Sequence, residues 1–332
     1  MKKSWILVTG GAGYIGSVTC QLLVEQGYPV VVIDNLSSGS VKGLPYGVHF
    51  FYGNVGDEAL LKKIFRKYPI GCIIHFAALI RVEESVLDPQ KYFQNNFVEG
   101  LKLLDTAVRY RCPKFIYSST AAVYGIPETV PIAENATLRP INPYGQAKKL
   151  FELSLQEYAR DNLITAVILR YFNVAGAYVT NHGIWGENHR PESHLIPLLL
   201  ETAATNKTFT IYGKNYQTPD GTCIRDYIHV YDLAMAHIMA LNTPRTPCVI
   251  YNVGTGRGHS NYEVLKTAEE VVGKKIPFRY GRPRKGDCPI LVADPTKIKQ
   301  ELGFKPIKSD LKTIIKDAWT YYKFKNKIFP HK

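Results

Sequence analysis

A tyrosine and a lysine stand four residues apart in Tyr144-Gly-Gln-Ala-Lys148, directly after Asn142-Pro143. Asparagine followed by proline is typical of a helix start, so both side chains should share one helical face, with Tyr144 in the first turn. A neighbouring cation favours the phenolate and lowers the pKa of a phenol. The pair therefore predicts a general base that works near neutral pH, although an isolated pair of this kind is usually part of an ordinary helix surface.

Hydroxyl side chains follow an apolar segment over residues 115–118 and form the run Ser118-Ser119-Thr120. The carboxyl ends of parallel strands face the ligand crevice in doubly wound folds. A hydroxyl at this position is therefore placed to bridge a substrate and the phenol of Tyr144. Taken alone, such a run is also common in turns and helix caps.

A glycine-rich segment, Thr9-Gly-Gly-Ala-Gly-Tyr-Ile-Gly16, lies between an apolar run and a helical pattern. Gly10, Gly13 and Gly16 allow a tight turn, a close approach to a pyrophosphate and close packing of helix on strand. The helix that follows offers free N–H groups and a positive dipole to phosphates. A carboxylate at Asp34, before Asn35, would bind ribose hydroxyls and repel a 2′-phosphate, so the cofactor predicted is NAD and not NADP.

Repeated strand and helix patterns surround these groups in the first half of the chain. Apolar runs predict strands over residues 5–8, 30–33, 48–51, 71–76, 115–118 and 166–170, and helical periodicity predicts helices over 15–26, 58–67, 93–109 and 145–161. Such alternation is typical of an α/β protein with a doubly wound parallel sheet, the Rossmann arrangement.

Shorter elements and polar loops characterise the chain after about residue 177, as in 181–193 and 213–221. Two later segments resemble returns to the sheet, a helix over 230–241 and a strand over 249–252. We therefore expect a Rossmann domain of residues 1–176 plus about 226–257. A smaller, discontinuous α/β substrate domain of about 177–225 plus 258–332 should complete the chain.

Composition excludes several classes of protein. The 332 residues carry a formal charge of +13, but much of the excess lies in the last third, and no nucleic-acid recognition motif is present. The six cysteines form no CxxC pair and the nine histidines show no metal-ligand spacing, so neither disulfides nor a metal site is expected. No apolar run is long enough to span a bilayer, and the N-terminus does not read as a signal peptide, so we expect a cytoplasmic protein.

With these pieces placed, the chain resembles the extended short-chain dehydrogenase/reductase family, and most closely its UDP-glucose 4-epimerase branch. Besides the glycine turn and the Tyr-Lys pair, the motifs are HFAA (75–78), SSTAAVYG (118–125), RYFN (170–173), HLIP (194–197), TPDGTCIRDYIHV (218–230), YNVGTG (251–256) and RPRKGD (282–287). They span nearly the whole chain, and the TPDGT…RDYIHV run is the most specific of them.

The resemblance implies a role for each matching position. Tyr144 would be the catalytic base, Lys148 its cationic partner and Thr120 the hydroxyl partner. NAD would be bound, beside the three glycines, by Tyr14, Ile15, Asp34, Asn35, Asn54, Val55, Phe76, Ala77, Ala78, Asn95, Tyr144, Lys148 and Phe172. The UDP-sugar would be bound by Thr120, Asn173, His194, Leu195, Thr210, Ile211, Tyr212, Arg225, Arg284, Asp287 and Leu291, and guanidinium groups such as those of Arg225 and Arg284 match diphosphate oxygens well.

Three positions depart from the family pattern. Asn54, in Gly53-Asn54-Val55, replaces an acid that reads the adenine amino group, and its amide oxygen can still accept that hydrogen bond. Ile80 stands where some members have a lysine near the nicotinamide. Leu291, the position implied to gate the sugar's 2-substituent, is neither bulky nor very small, so the choice between UDP-hexoses and N-acetylated ones stays open.

The activity implied is inversion of C4 of a UDP-hexose, UDP-glucose to UDP-galactose and back, through a 4-keto sugar and with NAD retained. Pentose and uronate substrates stay open too. A dehydratase or decarboxylase of the same fold needs an acid beside the hydroxyl partner, where this chain has Ala121-Ala122. A non-catalytic NAD-binding sensor would be free to lose the Tyr-Lys pair. The resemblance also implies a homodimer, formed by the helices predicted over 93–109 and 145–161.

Overall fold

The computed structural model describes residues 3–189, 191–244, 246–284 and 287–327. Its strands are β1 (Trp5–Thr9), β2 (Val30–Asp34), β3 (His49–Tyr52), β4 (Ile70–His75), β5 (Lys114–Thr120), β6 (Thr165–Tyr171), β7 (Asn173–Ala175), β8 (Ala177–Thr180), β9 (Gly183–Gly186), β10 (Phe209–Tyr212), β11 (Ile224–His229), β12 (Cys248–Val253), β13 (Gly258–Ser260), β14 (Phe278–Gly281) and β15 (Ile290–Leu291). Its α-helices are α1 (Tyr14–Glu25), α2 (Glu58–Lys67), α3 (Val82–Leu87), α4 (Pro89–Phe93), α5 (Glu99–Arg109), α6 (Pro143–Arg160), α7 (Leu195–Thr205), α8 (Val230–Met239), α9 (Asn261–Val272), α10 (Thr296–Leu302) and α11 (Leu311–Lys325).

Seven parallel strands form the main sheet, in the order β12-β6-β5-β4-β1-β2-β3. The β2 run Val-Val-Val-Ile-Asp is buried at every position, as expected for a parallel strand covered by helices on both faces. The strand order reverses between β1 and β4, where a doubly wound sheet opens its ligand crevice at the carboxyl ends. The structure thus confirms the predicted Rossmann-like fold class.

Alternate residues of each strand supply the cores on the two faces of this sheet. Ile6 and Val8 of β1 pack in a core that also receives side chains of α1 and α8, whereas Leu7 packs with α2, α5 and α6. Each fully buried aliphatic side chain of this kind contributes roughly 1.5–3 kcal/mol. The two segments predicted to return to the sheet do so, since α8 covers one face and β12 is an edge strand beside β6.

The helical stretch predicted over residues 93–109 is confirmed, although it begins earlier and is not α-helical throughout. The chain forms α4, then a π-helical turn over Gln94–Val98, then α5, without a break between them. The wider turn places Asn96 against the loop after β4, where its side chain donates to the carbonyl of Leu79 and accepts from the Leu79 N–H, both at 2.8 Å. π-turns of this kind are frequent at functional sites.

Smaller sheets build the rest of the molecule. β11 pairs with β7, β13 and β15, while β10 pairs with β14 and β8 pairs with β9. A third core lies between four of these strands (β7, β10, β11 and β14) and helices α7, α9 and α11. Among the described residues, no helix is long and apolar enough to cross a membrane.

Candidate active site

The glycine turn lies between β1 and α1 and is packed too closely for larger residues. Gly10 has a φ of +68°, and a Cβ on it would lie 2.6 Å from the backbone nitrogen of Ala77. A Cβ on Gly16 would lie 2.2 Å from the carbonyl oxygen of Gly10. Glycine at both positions therefore lets α1 pack directly against the turn and the end of β4.

The N-terminus of α1 is free to bind an anion. Its N-cap is Gly13, no side chain caps it, and the first helical hydrogen bond runs from the Ser17 N–H to the Gly13 carbonyl at 2.9 Å. The N–H groups of Tyr14 and Ile15 precede that bond and point from the positive end of the helix dipole. A Cβ on Gly13 would meet only the carbonyl oxygen of Gly10, at 3.3 Å. An uncapped helix beside a position without a side chain fits a dinucleotide pyrophosphate.

Asp34 is fixed at the carboxyl end of β2. Its Oδ2 accepts from the Ala12 N–H at 3.0 Å and its Oδ1 accepts from the Leu36 N–H at 2.8 Å. Asn35 donates from Nδ2 to Oδ1 of Asn54 at 2.8 Å, so a hydrogen bond joins the side chains of these two predicted NAD residues. Each acceptor oxygen keeps a second lone pair, which leaves this edge able to bind ribose and adenine groups. Buried Val55 follows Asn54 in the same loop.

A hydrogen bond joins the two strand ends at the point where the sheet order reverses. Thr9 Oγ1 lies 2.6 Å from Nδ1 of His75, and the backbone N–H groups of Phe76 and Ala77 donate to the Thr9 carbonyl. Burial, with a smaller effect of Lys148, lowers the pKa of His75 to about 3, so this imidazole is neutral. The Thr9–His75 contact thus sets the path of the Phe76-Ala77-Ala78 loop beside the glycine turn.

Tyr144 occupies the first turn of α6 as predicted, because Asn142 caps the helix by accepting from the Gly145 N–H at 2.8 Å. Its side chain is buried and hydrogen-bonded to Thr120, whose Oγ1 also accepts from the Ala122 N–H at 3.1 Å. Burial raises the pKa of the phenol well above its ordinary value, and the hydrogen bond with Thr120 only partly opposes this. The phenol and one of the three candidate hydroxyls therefore lie together.

Lys148 lies one helical turn further along α6 and is also buried. Its Nζ donates to the carbonyl of Ser118 at 2.9 Å and lies 4.9 Å from the centre of the Tyr117 ring. Burial lowers the pKa of Lys148 to about 7, while Glu152 acts in the opposite direction. In the protein without bound cofactor, Lys148 therefore does not lower the pKa of Tyr144 below its ordinary value as predicted. Burial has the largest effect on this phenol and raises its pKa.

A fully buried ion pair packs against these groups, and it was not predicted from the sequence. Arg170 of β6 binds Glu152 of α6 through Nε at 3.1 Å and Nη2 at 2.6 Å, with side-chain exposures of 2% and 0%. Ser119 donates to the same carboxylate, and Arg170 also donates to the hydroxyl of Tyr124 at 3.0 Å. The motif RYFN contains Arg170, but nothing local indicates that its partner lies one turn after Lys148.

Other predicted NAD residues lie in this region with contacts of their own. Tyr14 donates from its hydroxyl to the Gly176 carbonyl at 2.7 Å, so its side chain joins α1 to the loop after β7. Asn95 donates to Oδ1 of Asn96 at 2.9 Å within the π-turn. Phe172 is buried in a small core with Val123 and Leu291.

The arginines predicted to bind a diphosphate lie outside the seven-stranded sheet. Arg225 of β11 lies 3.5 Å from Asp287, and its register partner on β15 is Leu291. Arg284 lies 4.3 Å over the ring of Tyr212 and 3.4 Å from Glu83 of α3. Three other predicted substrate residues lie on β7 and β10, namely Asn173, Thr210 and Ile211.

His194 and Leu195 lie at the N-terminus of α7, where His194 is the N-cap. Burial lowers the pKa of His194, but the carboxylate of Glu187 outweighs it and raises that pKa to about 10. Glu187 also accepts from Nδ1 of His189 at 2.9 Å. The spacing of the histidines in the sequence did not indicate that the fold brings Glu187, His189, Glu192 and His194 together.

Comparisons of sequence and of structure with known proteins both find epimerases. The chain matches the NAD dependent epimerase/dehydratase family over residues 6–254. It is 42% identical over 322 residues to the UDP-glucose 4-epimerase of Streptococcus mutans, covering 96% of each chain. Its fold is similar to that of a UDP-glucose 4-epimerase from Brucella ovis in complex with NAD, with a TM-score of 0.91, 43% identity and coverage of 96% and 98%. The corresponding structure from Bifidobacterium longum, in complex with NAD+ and UDP, has a TM-score of 0.91, 36% identity and coverage of 98% and 99%.

Proposed function

The chain belongs to the NAD dependent epimerase/dehydratase family, and we propose that it inverts C4 of a UDP-hexose, interconverting UDP-glucose and UDP-galactose. The observation that carries this proposal is the group formed by Tyr144, Thr120 and Lys148, which lies at the same edge of the sheet as the uncapped N-terminus of α1. A base, a hydroxyl and a lysine at a dinucleotide site are what reversible oxidation of an alcohol requires.

NAD would supply the redox chemistry of this reaction, the reversible transfer of a hydride at C4 of the sugar. The chain's part is to hold and orient this cofactor. The N–H groups of Tyr14 and Ile15 bind its pyrophosphate, and Asp34 binds the adenosine ribose and repels a 2′-phosphate. Among the described residues, the hydrogen bond of Lys148 goes to Ser118, so its remaining N–H donors can bind the nicotinamide ribose.

Tyr144 moves the proton. Its phenolate oxygen takes the proton of the sugar's 4-hydroxyl as the ketone forms and gives it back when the alcohol is restored. Thr120 donates to this phenolate, which fixes the oxygen at the reacting atom. Because burial raises the pKa of the free phenol, positive charge close to the ring is needed to form the phenolate near neutral pH.

The second half of the chain binds the nucleotide. Arg225 and Arg284 have guanidinium groups suited to the two phosphates, and Asp287 already positions Arg225. Tight binding of the uridine diphosphate leaves the hexose free to turn about its linkage and present its other face. This division of labour also supports the proposed domains, 1–176 plus about 226–257 for NAD and 177–225 plus 258–332 for the UDP-sugar.

A dehydratase or decarboxylase is less consistent with this site. Elimination needs an acid beside the hydroxyl partner, but Thr120 is followed by Ala121 and Ala122, which carry no titratable atom. A non-catalytic sensor would not require the buried Tyr144, Lys148 and Thr120 group. We further propose a homodimer formed through α5 and α6, and a cytoplasmic location.

An epimerisation assay tests the proposal. Purified protein is given UDP-galactose and UDP-N-acetylgalactosamine in parallel, and the UDP-glucose and UDP-N-acetylglucosamine formed are separated by chromatography. We expect turnover of UDP-galactose without added NAD, because the cofactor is neither consumed nor released. Absence of turnover with both substrates, in a protein that contains NAD, would contradict the proposed function.

A further inference from the structure

Four side chains with metal-binding atoms converge in the loop between β9 and α7, apart from the Tyr144, Thr120 and Lys148 group, although His194 is also one of the residues predicted to bind the UDP-sugar. They are Glu187, His189, Glu192 and His194, and one ligand atom from each lies within 4.8 Å of the others. We propose that this Glu/His cluster is a binding site for one divalent transition-metal cation of the zinc class.

Three of the distances between ligand atoms of the Glu/His cluster are at or somewhat below those of a tetrahedral site, and all of them are within 4.8 Å. Glu187 Oε1 lies 2.9 Å from Nδ1 of His189 and 2.5 Å from Nδ1 of His194, and His194 Nδ1 lies 3.3 Å from Oε1 of Glu192. Zinc at about 2.0–2.2 Å from four N and O ligands has ligand atoms roughly 3.3 Å apart. A central cation therefore requires these atoms to separate by less than about 1 Å.

The ligand chemistry selects the class of cation. Two imidazole nitrogens with two carboxylate oxygens suit zinc, cobalt and nickel, whereas magnesium and calcium prefer ligand sets made of oxygen alone. Binding requires both imidazoles to be neutral, so His194 would release the proton that Glu187 favours, and the two carboxylates would then bring a charge that a dication balances. Nδ1 of His194 already faces both carboxylates, at 2.5 Å from Glu187 and 3.3 Å from Glu192.

The position of the cluster gives the cation a structural role. Glu187 follows β9 directly, and His194 caps α7. The ring of His189 contacts the ring of Tyr14 edge-on, with centroids 6.5 Å apart. A cation here would join β9, α7 and the first turn of α1, and would fix the loop that carries His194 and Leu195. This role does not depend on the proposed epimerase activity.

Cobalt(II) serves as the probe, because a tetrahedral site with nitrogen and oxygen ligands gives it intense visible absorption. The chelator-treated, NAD-containing protein is titrated with Co2+ and then with Zn2+, and bound metal is counted by mass spectrometry. We expect one Co2+ per chain, displaced by Zn2+, and a higher melting temperature with either ion. His189→Asn should weaken metal binding by more than about tenfold. Mutation of residues that only hydrogen-bond to metal ligands already lowers metal affinity by about that factor, and His189 is a ligand itself.

His182→Asn is the matched control, because His182 lies at the exposed β8–β9 turn outside the cluster and should not affect binding. Glu192→Gln gives a second test that keeps shape and removes one ligand charge, should His189→Asn fold poorly. Absence of Co2+ and Zn2+ binding by the unmodified protein would overturn the proposal. Equal binding by the unmodified protein, His189→Asn and Glu192→Gln would also overturn it, since the ion would then lie elsewhere.

Discussion

Replacing Glu152 with glutamine should destabilise the protein far more than the same change elsewhere on helix α6. The substitution keeps the shape of the side chain but removes the charge that compensates Arg170, which has 2% of its side chain exposed. Breaking one partner of a buried ion pair costs about 3–5 kcal/mol, because the other charge stays buried without compensation. The loss also affects Ser119, which donates to this carboxylate and precedes Thr120 in β5.

Glu157→Gln is the matched control on the same helix. Glu157 pairs with Arg160, but both side chains are more than half exposed, so the change should cost less than about 1 kcal/mol. Unfolding of both variants in urea, followed by circular dichroism with NAD present, gives the two differences in free energy. A loss in Glu152→Gln no larger than that in Glu157→Gln would refute the reasoning.

The same variant should change how activity depends on pH. Glu152 raises the pKa of Lys148 against the effect of burial, so without the carboxylate the ammonium loses its proton at lower pH. Activity relative to the unmodified protein should therefore fall more at about pH 8 than at about pH 6. A uniform loss across this range would show that Glu152 acts through stability alone.

Three further substitutions test other parts of the site. Gly16→Ala should weaken NAD binding by about tenfold or more, because the added Cβ would lie 2.2 Å from a carbonyl oxygen of the turn. Gly43→Ala is the control: its added Cβ would have its nearest contact at 3.5 Å, so the NAD content should not change. Leu291→Tyr should lower turnover of UDP-N-acetylgalactosamine relative to UDP-galactose, and an unchanged ratio would show that this residue is not the gate. Glu83→Gln should lower the KM for UDP-galactose by a few fold, because it frees Arg284 for the diphosphate; an unchanged or higher KM would count against that competition.

The sequence was sufficient to predict the elements whose causes are local. The apolar β1 and β2 runs flank a glycine turn, and the resulting strand–turn–helix unit places Asp34 where it was expected. Asn142 and Pro143 mark the start of α6, so the position of Tyr144 in its first turn could also be read directly. Helix ends shifted by a residue or two, as frayed ends usually do.

What could not be predicted depends on contacts between distant segments. The π-turn at Gln94–Val98 has helical periodicity on both sides, and it coincides with the hydrogen bonds between Asn96 and the distant Leu79. Glu152 reads as an ordinary helix residue until β6 brings Arg170 against it. The raised pKa of Tyr144 could not be predicted for the same reason. It results from burial of the phenol, which depends on the whole fold and has a larger effect on this pKa than the neighbouring Lys148.

The most direct test follows the hydrogen at C4. UDP-galactose labelled with deuterium at C4 is converted in ordinary water, and the UDP-glucose formed is analysed by NMR and mass spectrometry. If the hydrogen leaves C4 as a hydride and returns from a cofactor that stays bound, the product keeps the deuterium at C4, and Tyr144→Phe forms almost no product. Loss of the deuterium to solvent, or full turnover by Tyr144→Phe, would contradict the mechanism.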